Sequence, residues 1–247
     1  MQGTTAQLWL RRWDAQQEHY IPDREERFRV VIDVVRAAVG TGPANVVDLG
    51  CGPGSLSARL AGALPDVSVV GVDADPLLLG LGQANTGPRV RLVEADLGQA
   101  DWPDRTGIAG RWDAAVSSTA LHWLAPEALA GLYRTLSGRL RPGGVFVNAD
   151  KMDPGSSTVD AIATAVREAR TARVGTDRNE DWAQWWQAIG EDDEIASLLD
   201  GRPAAPIDHT ENELTVREHA ALLRAAGFAE VAPVWQFGDE HVLVAVR

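Results

Sequence analysis

The 247-residue chain holds one cysteine, Cys51, and one lysine, Lys151, among 23 basic residues. A lone cysteine excludes an intrachain disulfide. No apolar run reaches the roughly 18 residues that a membrane-spanning helix needs. Arg11, Arg12 and Asp14 interrupt the first apolar stretch too early for the core of a signal peptide. A cytoplasmic protein with no membrane partner is therefore expected. Acidic residues outnumber basic ones, 35 to 23, for a formal net charge of −12. Nucleic acid backbones are held by clustered Lys and Arg, so DNA and RNA are not expected partners. The five histidines are scattered without ligand spacing, and no metal site is expected. The shortage of lysine beside abundant Ala, Gly and Val reads as the base composition of a GC-rich genome, not as function.

What remains is ordinary globular composition, 45% hydrophobic and 23% charged, suited to a single domain. Residues 5–20 and 23–39 read as helices parted at Pro22-Asp23, with Phe28, Val31, Ile32 and Val35 at helical spacing. From residue 44, strands at 44–49, 67–73, 90–94, 112–117 and 143–149 alternate with helices near 55–63, 76–84 and 126–139. Such alternation implies a parallel sheet. Asp75-Pro76 has the chemistry of a helix start, an acid as N-cap and a proline in the first turn. Residues 151–213 carry helical patterns, Pro154-Gly155 and a Gly201-Arg202-Pro203 linker. They read as a helical cap inserted over the carboxyl edge of the sheet. Residues 214–247 read as a helix, then Phe228–Phe237, a Gly238-Asp239 turn and Val242–Val246, an antiparallel hairpin closing the sheet.

The densest signal is Val46-Val47-Asp48-Leu49-Gly50-Cys51-Gly52-Pro53-Gly54-Ser55, an apolar strand that ends in an acid and turns on alternate glycines. Glycine lets backbone approach a ligand with no Cβ between them. The spacing is G-x-G-x-G, not the dinucleotide pattern G-x-G-x-x-G. A pyrophosphate needs backbone N–H donors, and Pro53 has none. A nucleoside ligand without a diphosphate fits better, which argues against a nicotinamide oxidoreductase.

Asp48-Leu49-Gly50-Cys51-Gly52-Pro53-Gly54 resembles motif I of the class I S-adenosylmethionine (SAM) dependent methyltransferases. Val69-Val70-Gly71-Val72-Asp73-Ala74-Asp75 resembles motif II, and Val93-Glu94-Ala95-Asp96-Leu97 resembles motif III. Trp112-Asp113-Ala114-Ala115-Val116-Ser117-Ser118 is similar to motif IV, and Leu140-Arg141-Pro142-Gly143-Gly144-Val145-Phe146 to the last motif. These stand in order over roughly residues 44–150. The resemblance implies an α/β, Rossmann-like sheet of seven strands, mostly parallel, with an antiparallel C-terminal hairpin. Around a SAM-binding core at 44–150 it implies N-terminal lid helices at 1–40, the cap at 151–213, and a C-terminal helix and hairpin at 214–247. The whole forms one methyltransferase domain over 1–247.

It also implies site residues. Gly50, Cys51, Gly52 and Gly54 would pass under the methionine part of the cofactor, and Asp48 would orient its amino group. Asp73, beside Ala74, would accept from both ribose hydroxyls; the alternative for Asp73, a helix N-cap, suits Asp75 better. Asp96 and Leu97 would read the adenine edge, although Asp96 also suits a turn cap. Ser117 stands at the end of strand four. Tyr20 could donate to the cofactor carboxylate and Arg24 pair with it, or both could belong to the solvated face of an amphipathic helix.

Methyl transfer is an in-line displacement, so the protein's tasks are alignment and exclusion of water. A base is needed only where the acceptor must lose a proton. Ser117-Ser118-Thr119-Ala120-Leu121-His122-Trp123-Leu124 follows strand four, the position facing the methyl group in this fold. It has neither the Pro-Pro-aromatic motif of adenine methyltransferases nor the Pro-Cys nucleophile of cytosine enzymes. It is similar to the trans-aconitate and malonyl-carrier-protein O-methyltransferase group, which implies a small acceptor. His122 is the candidate base because imidazole titrates near neutrality; pocket lining and a helix-end bond to backbone are its alternatives. Thr119, His122, Trp123, Trp182 and Trp186 are candidate pocket residues, and the tryptophans at 182, 185 and 186 suit cap core equally well. His209 and His219 read as surface or linker residues. A SAM-binding subunit without catalysis is the competing function.

Overall fold

A computed structural model describes residues 3–84, 86–195 and 211–247. Two helices lead, α1 (Gly3–Tyr20) and α2 (Arg24–Val39). The alternating part follows as β1 (Ala44–Leu49), α3 (Ser55–Ala63), β2 (Val67–Asp73), α4 (Pro76–Gln83), β3 (Val90–Glu94), α5 (Trp102–Arg105), β4 (Trp112–Ser118), α6 (Pro126–Arg139) and β5 (Leu140–Lys151). Helices α7 (Ser157–Val174) and α8 (Trp182–Gly190) come next. The described chain ends with α9 (Val216–Ala225) and the hairpin β6 (Glu230–Phe237) and β7 (Glu240–Val246).

The sheet runs β3-β2-β1-β4-β5-β7-β6, parallel except where β7 pairs with β5 and β6. This is the seven-stranded, mostly parallel architecture that the motifs imply. Both faces are covered, and so its central strands are apolar on both sides. Phe28, Val31, Leu56 and Leu60 pack on one face against Val46, Val116 and Val147. Leu132, Tyr133, Leu136 and Leu223 pack on the other against Val47, Ala115 and Phe146. A third cluster joins α1, α4 and α8 through Trp9, Leu10, Trp13, Leu77, Leu81, Trp185 and Ile189.

Asp75 caps α4 as its chemistry requires, accepting from the N–H groups of Leu77 and Leu78. Two elements differ from expectation. The last parallel strand starts at Leu140, directly after α6, ahead of the expected start at residue 143; Gly143 N–H donates to the Arg247 carbonyl and holds the segment in the sheet. The four-residue α5 was not foreseen, being too short to show a period. His219 is buried, not on the surface, and its Nδ1 lies 2.8 Å from the Tyr133 hydroxyl. The Gly201-Arg202-Pro203 linker and His209 lie outside the described residues. No helix among the described residues is long and apolar enough to cross a membrane.

Candidate functional site

The strand order reverses between β1 and β4, whose ends meet at Leu49 and Ser117. Ligands of open α/β sheets bind at such a crevice, beyond the carboxyl ends of the strands. The turn after β1 carries Gly50, Gly52 and Gly54 at φ of 64°, 53° and 80°, a region that glycine enters without strain.

Their reasons differ. A Cβ on Gly50 would lie 2.3 Å from that of Ala120, so the segment after β4 packs directly on the loop. A Cβ on Gly54 would meet Thr86 at 3.3 Å, whereas one on Gly52 would make ordinary contacts, with the Trp13 ring at 3.5 Å and Leu78 at 3.9 Å. Overpacking in a well-filled site costs about 1–3 kcal/mol, and Gly50→Ala is expected to lower unfolding stability by about that much. Chemical denaturation checks it, and an unchanged midpoint would mean that Ala120 yields freely.

Every N–H of the loop is engaged or missing. Gly50 and Cys51 donate to the Val72 carbonyl, Gly52 to Asp73 Oδ2 at 2.7 Å, and Gly54 to the Cys51 carbonyl. Pro53 has no N–H. The turn therefore cannot present a row of donors to a diphosphate, while its carbonyl-and-glycine surface and adjacent carboxylate remain suited to a nucleoside.

Asp73 also accepts from Asp75 N–H at 2.9 Å. Burial pushes its carboxyl above the usual range against the pull of these N–H donors. Asp48 is buried and accepts from Ser57 Oγ at 2.6 Å. Burial, against that hydrogen bond, and the neighbouring Asp73 charge raise it to about 7. Both acids stand at strand ends in the crevice. The other expected ligands fall less neatly. Cys51 turns its side chain inward beneath Gly71, and burial pushes its thiol up. Ser117 is buried, its hydroxyl donating to the Leu49 carbonyl, so it joins β1 to β4. Asp96 is exposed and caps its own turn through Gly98 N–H, with Leu97 half-buried beside it. Ala74 is exposed at the end of β2.

Helix α1 closes over the loop. Trp13 rests on Gly52, and Asp14 accepts from Ser55 Oγ, Arg24 and Arg59. Arg24 is thus committed to Asp14 and lies over the Phe28 ring, and the Tyr20 hydroxyl accepts from Trp182 N–H. Both residues thus have partners within the protein. The tryptophans of α8 likewise face α1: Trp185 is its buried member, Trp182 packs on Trp13 at 5.6 Å, and Trp186 on Trp182 at 5.5 Å.

At the carboxyl end of β4 the chain turns sharply. Thr119 has φ 56°, a strained conformation for a β-branched residue. Buried Arg27 holds it there, donating to the Ser118 and Thr119 hydroxyls while pairing with Glu240. His122 follows in a short 3-10 turn, its Nδ1 2.7 Å from Asp150 Oδ1 at the end of β5. Burial disfavours the imidazolium, but the buried Asp150 carboxylate outweighs it and raises the pKa of His122. Asp150 moves the opposite way: burial raises it, and the His122 charge and hydrogen bond bring it below its usual value. With Nδ1–H given to Asp150, Nε2 keeps the lone pair. Sequence reading missed Asp150 and Arg27; the register of β5 on β4 brings Asp150 to the site, and α2 brings Arg27.

Comparison with known proteins agrees with this geometry. Residues 46–144 match the sequence profile of a methyltransferase domain. Over 105 residues the chain is 36% identical to a trans-aconitate 2-methyltransferase of Deinococcus radiodurans, covering 42% of this chain and 36% of that protein. A protein of the same name from Methylobacterium radiotolerans is 34% identical over 51% of this chain and 45% of its own. The chain thus spans less than half the length of these two relatives. Among solved structures, a magnesium protoporphyrin IX methyltransferase of Synechocystis with bound S-adenosylhomocysteine (SAH) superposes with TM-score 0.58 at 18% identity, covering 94% of this chain and 86% of that one. A sugar N-methyltransferase from Streptoalloteichus gives 0.56 at 18% identity, over 90% and 86%. At these identities the structural likeness concerns the fold alone.

Proposed function

We propose that this chain, whose residues 46–144 match a methyltransferase domain, is of the class I SAM-dependent type and transfers a methyl group from SAM to a small organic acceptor. The observation that carries the choice of cofactor is the glycine loop, whose N–H groups are all engaged and whose edge is lined by Asp48 and Asp73. When bound, SAM supplies a methyl group already activated by a sulfonium. Asp73 is the ligand we assign to the ribose hydroxyls. Asp48 is too deeply engaged with Ser57 for more than a water-mediated role. Gly50, Gly52 and Gly54 line the methionine side, α1 excludes water, and His122 takes the acceptor's proton. The adenine edge falls to the 96–97 segment. The oriented His122–Asp150 pair favours catalysis over a binding-only subunit, since a cofactor-storing protein has no use for a positioned base.

A small-molecule acceptor and a cytoplasmic setting accord with the acidic charge and single cysteine. Calorimetric titration tests the cofactor directly: saturable binding of SAH and SAM is expected, with none of NADH. Preference for NADH, or no binding of either adenosyl ligand, would sink the reading.

A further inference from the structure

Residues 211–215 return from the cap onto the turn that carries His122. The Asn212 carboxamide donates to the carbonyls of Leu121, His122 and Leu124, and its backbone N–H also donates to the His122 carbonyl at 2.8 Å. Four hydrogen bonds to three carbonyls of the turn hold this segment on it; the preceding residue, Glu211, is exposed, and its charge acts on the His122 imidazole. Asp153 N–H donates to Leu214 and extends the same seam.

We propose, on the reading above, that the acceptor is a protonated amine and that Glu211, held in place by Asn212, selects it together with Asp150 and Trp123. The charge pattern argues for this. Asp150 meets His122 from β5 at 2.7 Å, and the charge of Glu211 reaches the same ring from the segment that Asn212 anchors. The other buried acids nearby are already paired, Glu240 with Arg27 and Asp239 with Arg167. Arg27 is committed to Glu240 and to two hydroxyls, and Lys151 is exposed on β5, one residue beyond Asp150 and hence on the alternate face. On the far side of Asp150, His219 meets Tyr133. The Trp123 ring is 39% exposed with its centroid 4.6 Å from that of His122. Carboxylates beside a partly exposed indole form a setting that attracts cations and repels an anionic acceptor.

The same pair makes the chemistry balance. His122 Nε2 takes one proton from the ammonium, and the freed nitrogen lone pair forms the N–C bond. The methyl–sulfur bond breaks with its electrons remaining on sulfur. The products are an N-methylammonium, SAH and an imidazolium that returns its proton to solvent.

Benzylammonium and benzoate, matched in shape and opposite in charge, probe the site in the SAH-loaded protein. Calorimetry at neutral pH is expected to show benzylammonium bound at least tenfold more tightly than benzoate. Glu211 is exposed, so E211Q should fold normally, and the preference should fall at least threefold in it. Equal or tighter benzoate binding, no binding of either probe, or a preference unmoved by E211Q overturns the amine assignment. If SAH still binds in those cases, the cofactor reading stands; if SAH does not bind, that reading fails instead.

Discussion

Asp73→Ala is expected to weaken SAH binding by about 10–100-fold. The carboxylate ends β2 in the crevice and already holds the loop, accepting from Gly52 N–H at 2.7 Å and Asp75 N–H at 2.9 Å. An ionised carboxylate has about four acceptor sites, so two remain for a diol. A hydrogen bond to a charged group contributes about 1.5–3 kcal/mol, and with water replacing part of the diol contact a net loss of about one such bond sets the range. The alanine variant also leaves the Gly52 N–H without a partner in a half-buried place, and part of the loss would then come from a relaxed loop. Asp73→Asn separates the two effects, since its carbonyl oxygen can still receive Gly52 while the charge is gone. Calorimetry with SAH decides: full affinity in the alanine variant, with only a lower unfolding temperature, would restrict Asp73 to holding the loop.

The glycine loop and the acids at its edge were legible in the sequence because their determinants are local. A glycine needed for positive φ, a proline without N–H and an acid at a strand end declare themselves within a few residues, as do the Asp75-Pro76 cap and the hairpin turn at Gly238. The acceptor side was not. Asp150 reaches His122 only because β5 lies beside β4, Arg27 reaches Thr119 from a helix far upstream, and Asn212 reaches the His122 turn from far downstream. Nothing in the spacing of these residues marks them as partners. The protein partners of other candidate residues are hidden from sequence for the same reason. Tyr20 and Arg24 have the right chemistry for a carboxylate ligand, yet α8 and Asp14 supply nearer partners. Ser117 sits at the right strand end, but the pleat turns its hydroxyl toward β1.

His122→Ala is expected to lower kcat by about 10²–10⁴, the usual contribution of a positioned proton acceptor, with SAH affinity nearly unchanged. The pH dependence gives the sharper test. The pKa of His122 is raised above 6.5, so the neutral, proton-accepting imidazole appears only above that value, and the acid limb of kcat/KM should lie there. The same pair stabilises the fold in a definite window. The contribution of His122 is present below its unfolded pKa and is lost as pH rises through the raised folded value. That of Asp150, whose pKa is lowered, is present above the unfolded carboxyl value of 3.8 and is lost as pH falls through the folded one. The ion pair therefore stabilises most between those limits, on the acidic side of neutrality. Asp150→Asn removes the charge that holds the imidazolium and should shift the acid limb of kcat/KM to lower pH while lowering kcat, because the ring loses the partner that fixes its tautomer. A limb that stays in place in Asp150→Asn would show that another group titrates, and would leave His122 as a wall of the pocket with no part in the proton's removal.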